Sequence, residues 1–296
     1  MKPIAHWLGR LVAVLAVLAG GVVAFAAPAS AVTICGNSPV PPGQVIVSEY
    51  AGNSCGGYLE LTVQPPFDGI GICADSPIPD GYVIVSEQAG AGCGGHLGAT
   101  LRIAYPGVGI CMDSPVPTGW VITAEQQTNS CGGHLGGTIT NQLFNGIGVC
   151  ADSTLPAGWV IIAKSAGNGC GGHLGETITN QLFNGINVCA NSTVPAGWVI
   201  TAEQQTNGCG GTLSENLATP FPGVNVCGDS PIPPGYVITS ARSASGCGGH
   251  LIEVITNSLF NGINVCANST VPAGWWISSM YSTNGCGGYQ AEILQH

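Results

Sequence analysis

Two cysteines recur 20 positions apart seven times along this chain, at a period of 38 or 39 residues, and that spacing constrains the fold more than any other feature. The units start at Cys35, Cys73, Cys111, Cys150, Cys189, Cys227 and Cys266. The offset of 20 within a unit never varies, whereas the step from a second cysteine to the next unit is 18 or 19. A loop tolerates an insertion better than a span fixed at both ends. This favours the pairs Cys35–Cys55, Cys73–Cys93, Cys111–Cys131, Cys150–Cys170, Cys189–Cys209, Cys227–Cys247 and Cys266–Cys286. The competing scheme joins Cys55 to Cys73, Cys93 to Cys111 and so on, leaving Cys35 and Cys286 to close a ring. A bridge over such a loop stabilises by roughly 3 kcal/mol in the chain-entropy model, and a unit of this size has too little core to fold without it.

Disulfides on this scale imply an oxidising compartment, and the N-terminus agrees. Lys2 and Arg10 form a positive region ahead of the apolar run Leu11–Ala26, and Ala29-Ser30-Ala31 matches a small-residue cleavage site. Residues 1–31 therefore read as a secretory signal peptide, 32–296 as the seven-unit region, and the expected localisation is extracellular. The apolar run is 16 residues, short of the roughly 20 that span a bilayer, and no later stretch is apolar enough. Without the signal only Arg102, Lys164 and Arg242 oppose 15 acids, a net charge of −12. No basic patch exists to neutralise phosphates, which argues against nucleic acid and anionic lipid as partners.

Within the Cys150 unit, Cys150–Gly158 reads as a wide turn, with Asp152, Ser153 and Pro156 as turn formers. Trp159–Ala163 and His173–Thr179 read as strands around a Gly-rich loop, and Ile186–Cys189 as a short third strand. The class is all-β. Three strands per unit would reverse an unbroken meander at every step, so each unit needs a fourth strand, a crossover, or a linear stack. An elongated array or solenoid of stapled units is the expected architecture, with a closed propeller-like ring as the alternative.

Several residue columns could carry function. Tyr82, Trp120, Trp159, Trp198, Tyr236 and Trp275 stand nine positions after their first cysteine, where Gln44 occupies the first unit. Such a row could present flat rings to a polymer and convert weak contacts into avidity, or it could pack against neighbouring units. Phe67, Tyr105, Phe144, Phe183, Phe221 and Phe260 mostly lack a polar handle and are expected to fill the core. His96, His134, His173 and His250 lie in separate units, so no metal is expected from them. The acids at 49, 87, 125 and 203 and at 176, 215, 253 and 292 look like solvated strand edges that discourage sheet pairing. No nucleophile elbow, zinc-protease helix or phosphate loop occurs.

The expectation is an exported, non-catalytic repeat protein without cofactor, binding a polysaccharide or other cell-wall or extracellular polymer through the Tyr/Trp column. The alternative is a purely structural coat or spacer. An inhibitor or a secreted hydrolase fits less well. The oligomeric state does not follow from the sequence.

Overall fold

The computed structural model describes residues 31–167 and 169–296, so the signal-peptide reading lies almost wholly outside the described residues. The described chain is all-β: seven three-stranded antiparallel sheets, one per unit. In the first unit β1 is Val32–Cys35, β2 is Val45–Ala51 and β3 is Leu59–Gln64. The second unit repeats them as β4 (Gly71–Cys73), β5 (Tyr82–Ala89) and β6 (Leu97–Ile103). The pattern continues to the last strand, Ala291–Gln295.

Each sheet has the order first–third–second, with the third strand antiparallel to both neighbours. The first and second strands therefore run parallel. The proline-rich segment between them, 36–44 in the first unit, is a crossover rather than a local turn. This resolves the odd-number problem: the third strand finishes at the end where the first starts, so a short connection feeds the next unit in the same direction and all units have one orientation.

The topology sorts the unit into two ends. Val32 pairs with Val63 and Val45 with Gln64, so the starts of β1 and β2 meet the finish of β3 at one end, where the connection to the next unit leaves. Cys35 pairs with Glu60 and Ala51 with Leu59 at the other, where the Gly-rich loop carries the second cysteine. Bridges close Cys35–Cys55, Cys73–Cys93, Cys111–Cys131, Cys150–Cys170, Cys189–Cys209, Cys227–Cys247 and Cys266–Cys286, each across 20 residues.

Units stack by covering each other's sheet edges. A bulge in β2 between Ile46 and Ser48 turns backbone N–H groups outward. The N–H of Ile46 donates to Ser76 Oγ at 2.8 Å, and that of Glu49 to the Gly92 carbonyl at 2.7 Å, both in the next unit. The same serine bond recurs from Ile84 to Ser114, Ile122 to Ser153, Ile161 to Ser192, Ile200 to Ser230 and Ile238 to Ser269.

The core is shared between neighbours. Ile46, Leu61 and Val63 of the first unit pack on Cys73 and Cys93 of the second, so each bridge fills the core of the unit before it. Val45 packs the other way, against Ile70 and Ile72. The first glycine after each second cysteine permits this approach. A Cβ on Gly132, whose φ is +57°, would lie 2.7 Å from Leu97 Cδ1 and 3.0 Å from Glu87 Oε2.

Among the described residues, contacts between units join only consecutive sheets, and none links the seventh to the first. The array is open, which overturns the closed-ring alternative. The physical reason is translational: the edge that β2 presents is complementary to the front of the next unit, so each addition extends the stack.

Candidate functional site

The connection end of the stack gathers both aromatic columns. The connecting turn, such as Phe67-Asp68-Gly69, lies just beyond the finish of one unit's third strand, and Gly69 there has φ +83°. Asp68 Oδ1 accepts from the N–H of Ile103 at 3.0 Å, and Asn184 Oδ1 from that of Thr219 at 2.8 Å, tying each turn to the following unit. The turn thereby projects its aromatic ring off the end of the sheet. Phe67, Tyr105, Phe144, Phe183, Phe221 and Phe260 are 49–63% exposed. The core role expected for this column is wrong, because a residue outside the sheet has no neighbouring layer to pack against.

The Tyr/Trp column sits beside it, at the start of each second strand. Tyr82, Trp120, Trp159, Trp198, Tyr236 and Trp275 are half-buried, each with one side against its unit's core. Tyr82 Oη donates to the Pro66 carbonyl at 3.3 Å and Tyr236 Oη to the Pro220 carbonyl at 3.0 Å, next to Phe67 and Phe221. Clefts open between the crossovers of successive units. One of about 530 Å³ is lined by Leu155, Pro156, Trp159, Val194 and Pro195; another of about 410 Å³ by Pro79, Tyr82, Pro117 and Trp120. These volumes fall within the range of small-ligand sites. The clefts are open and repeat along the stack.

The acidic columns lie at the unit junctions rather than at solvated edges. Glu49, Glu87, Glu125 and Glu203 are only 3–6% exposed, because the next unit covers the edge strand that carries them. Glu125 Oε1 and Oε2 and the Oε2 atoms of Glu49, Glu87 and Glu203 have no hydrogen-bond partner among the described residues. Burial, reinforced by Asp113 and Asp152 of the following units, pushes the Glu87 and Glu125 carboxyls up to about 7. Burial raises Glu49 and Glu203 likewise, with Asp75 and Asp229 adding to it. In the fourth unit Lys164 stands at this position and pairs with buried Glu176 at 3.0 Å.

Two of the histidines face their own unit's aspartate: His96 Nε2 is 3.7 Å from Asp75 and His250 Nε2 is 3.7 Å from Asp229. Glu203, Asp229 and His250 bring two carboxylates and an imidazole within 4.8 Å of one another. At the first three junctions the third member of such a group is a cysteine sulfur held in a disulfide, which is no metal ligand. The four histidines do not converge on one another.

These carboxyls predict an acid-favoured fold. An unfolded Glu deprotonates near 4.5 while folded Glu125 holds its proton to about 7. The folded state therefore binds more protons in that window, and stability falls as pH rises through it. Glu125→Gln is expected to stabilise on the order of 1–2 kcal/mol at about pH 8 and to change nothing at about pH 4. Urea unfolding at both pH values measures this; an equal effect at both would show that the carboxyl is not held protonated.

The sequence offers the Tyr/Trp column as a candidate surface, whereas the exposed Phe/Tyr rings beside it read there as core. Their signal was present: each precedes a turn glycine by two positions, outside any alternating strand pattern. No known protein family, curated protein or solved structure matches this chain.

Proposed function

We propose that this chain is an exported, non-catalytic repeat protein that binds an extended, uncharged extracellular polymer, a polysaccharide above all, along the connection end of its stack. The observation that carries this reading is the row of aromatic rings held about half-exposed or more by the same turn in six successive connections. An apolar row of this extent on an exported protein marks an interaction surface. Flat rings suit the faces of sugar rings, and the half-buried Tyr/Trp clefts beside them supply walls for the same ligand. The net negative charge without a basic patch disfavours anionic polymers. Repetition supplies avidity from weak single contacts.

The test is retention of the oxidised, secreted protein on insoluble neutral polysaccharides and on cell walls. Two variants run beside it: Phe144, Phe183, Phe221 and Phe260 changed to Ser, and Trp120, Trp159, Trp198 and Trp275 changed to Ala. The phenylalanine variant is expected to lose at least about tenfold in retention with its disulfides intact, since four avid contacts disappear without touching the core. The tryptophan variant is expected to lose binding and some stability together. Failure of the unaltered protein to be retained on any matrix would leave the structural coat or spacer reading in its place.

A further inference from the structure

The seventh unit presents an uncovered stacking face among the described residues. Its second strand, Trp276–Tyr281, is exposed along its whole length, with Trp276 at 56%, Ile277 at 41% and Met280 at 51%. The equivalent residues in the other units, such as Val45 and Ile46 or Val237 and Ile238, are buried to 4% or less. Among the described residues, the N–H groups of Ile277 and Met280 have no acceptor, although their equivalents are bonded at all six internal junctions. Repeat arrays ordinarily close with a polar capping unit, and an open apolar edge strand is a pairing template. The seventh unit presents Trp276, Ile277, Met280 and Tyr281 on that strand instead.

Among the described residues, the front of the first unit is uncovered in the complementary sense. Ser38 is exposed there, and the Cys35–Cys55 bridge is half-exposed where the other bridges are nearly all buried. Val32 is 49% exposed, whereas its equivalent Ile70 is buried. Ser38 occupies the position whose hydroxyl accepts the edge-strand N–H at every internal junction.

We propose that the exported chain assembles head to tail, the first unit of one copy stacking on the seventh unit of another as successive units stack within the chain. Side-chain matching across the junctions selects this partner. Where a unit offers Glu at the edge-strand position, the next unit answers with Asp and His: Glu49 with Asp75 and His96, and Glu203 with Asp229 and His250. The Glu87 and Glu125 junctions repeat the pattern.

Where the edge residue is not Glu, the acid lies on the third strand and the next unit answers with Asn. Asn191 donates to Glu176 Oε1 at 3.5 Å, and Asn268 to Glu253 Oε1 at 2.8 Å. At the sixth junction the full set is Ala241 and Glu253 meeting Asn268 and Tyr289. The tail of the chain offers Met280 and Glu292, and its head offers Asn37 and Tyr58. The intermolecular set thus has the composition of the sixth junction, with Met280 set against the Tyr58 ring in a favourable sulfur–aromatic contact. Two tails meeting would instead place N–H donors against donors and Glu292 against its own copy. A heterologous contact that repeats by translation grows as an open filament.

Sedimentation velocity and negative-stain microscopy of the secreted protein test this. Species that grow with concentration, seen as unbranched filaments, are expected; a single monomeric species at every concentration up to about 100 µM overturns the proposal, since it predicts open-ended mass action. Two variants at exposed positions define polarity: a tail-blocked Ile277→Asp/Met280→Asp and a head-blocked Val32→Asp/Tyr58→Asp. Each alone is expected to be monomeric, and an equimolar mixture to give dimers and nothing larger, because one free head meets one free tail. Dimers of the head-blocked variant alone would show tail-to-tail pairing and overturn it. No polymer enters the assay, so its outcome is independent of the binding reading above.

Discussion

Removing the central bridge by Cys150→Ala/Cys170→Ala is expected to unlock two units, whereas Cys35→Ala/Cys55→Ala unlocks one. Each bridge closes a loop of the same length, so the unfolded-state contribution, roughly 3 kcal/mol, is common to both. Cys150 and Cys170 also fill the core of the preceding unit, against Ile110, Ile122 and Ile139. Truncating both leaves a cavity there at a further cost of about 1–2 kcal/mol. Cys35 and Cys55 pack on no preceding unit among the described residues and are half-exposed, so no second core is lost. A global melting temperature would blur this, because stacked repeats unfold in parts. Hydrogen exchange resolved by peptide is the suitable measurement. Protection in the strands Val121–Gln127 and Leu135–Thr140 is expected to fall about tenfold or more in the central variant, through the lost packing alone. Unchanged protection there would show that the bridge staples its own unit only.

The second large effect separates backbone strain from stacking. Gly56 and Gly132 occupy the same position in the unit, with φ of +60° and +57°. Alanine at either pays the left-handed penalty of roughly 1–2 kcal/mol. Around Gly56 an added Cβ meets nothing within 4 Å, while at Gly132 it meets Leu97 and Glu87 of the preceding unit at 3.0 Å or closer. Both of those side chains are hemmed in by the junction. Gly132→Ala is therefore expected to cost a further 1–3 kcal/mol, roughly the range for overpacking a closed interface. The measurement is the difference in unfolding free energy between the two variants in urea. Equal losses would mean that the units can part slightly without cost, contrary to a stack held by close backbone approach. In an assembled filament the Gly56 variant would acquire the same clash, so its penalty would appear as weakened assembly rather than lost stability.

Much of the unit was legible before any coordinates. The invariant offset between cysteines pointed to pairing within the unit, because a fixed span and a variable one have different physical causes. Asp, Asn, Ser and Pro at the crossover, and β-branched residues after it, marked where the chain turns and where it extends. The third strand was marked by its β-branched residues, and an open array was the expected architecture with a ring as the alternative, since identical sequences prefer identical surroundings.

What the sequence left open was which surfaces meet. Glu125 and its counterparts read as charged edge residues, a sound inference for an isolated sheet. They are buried because the next unit lies over that edge, and nothing local to the strand encodes the neighbour. The phenylalanines read as core by their apolarity, yet a connecting turn carries them beyond the last hydrogen-bonded pair, where no layer exists to cover them. Local pattern therefore determined strands, turns and cross-links, whose physics lies within some twenty residues of chain. Burial, the perturbed acids and the exposed aromatic row were decided by tertiary structure alone, because they depend on the translation that sets one unit against the next.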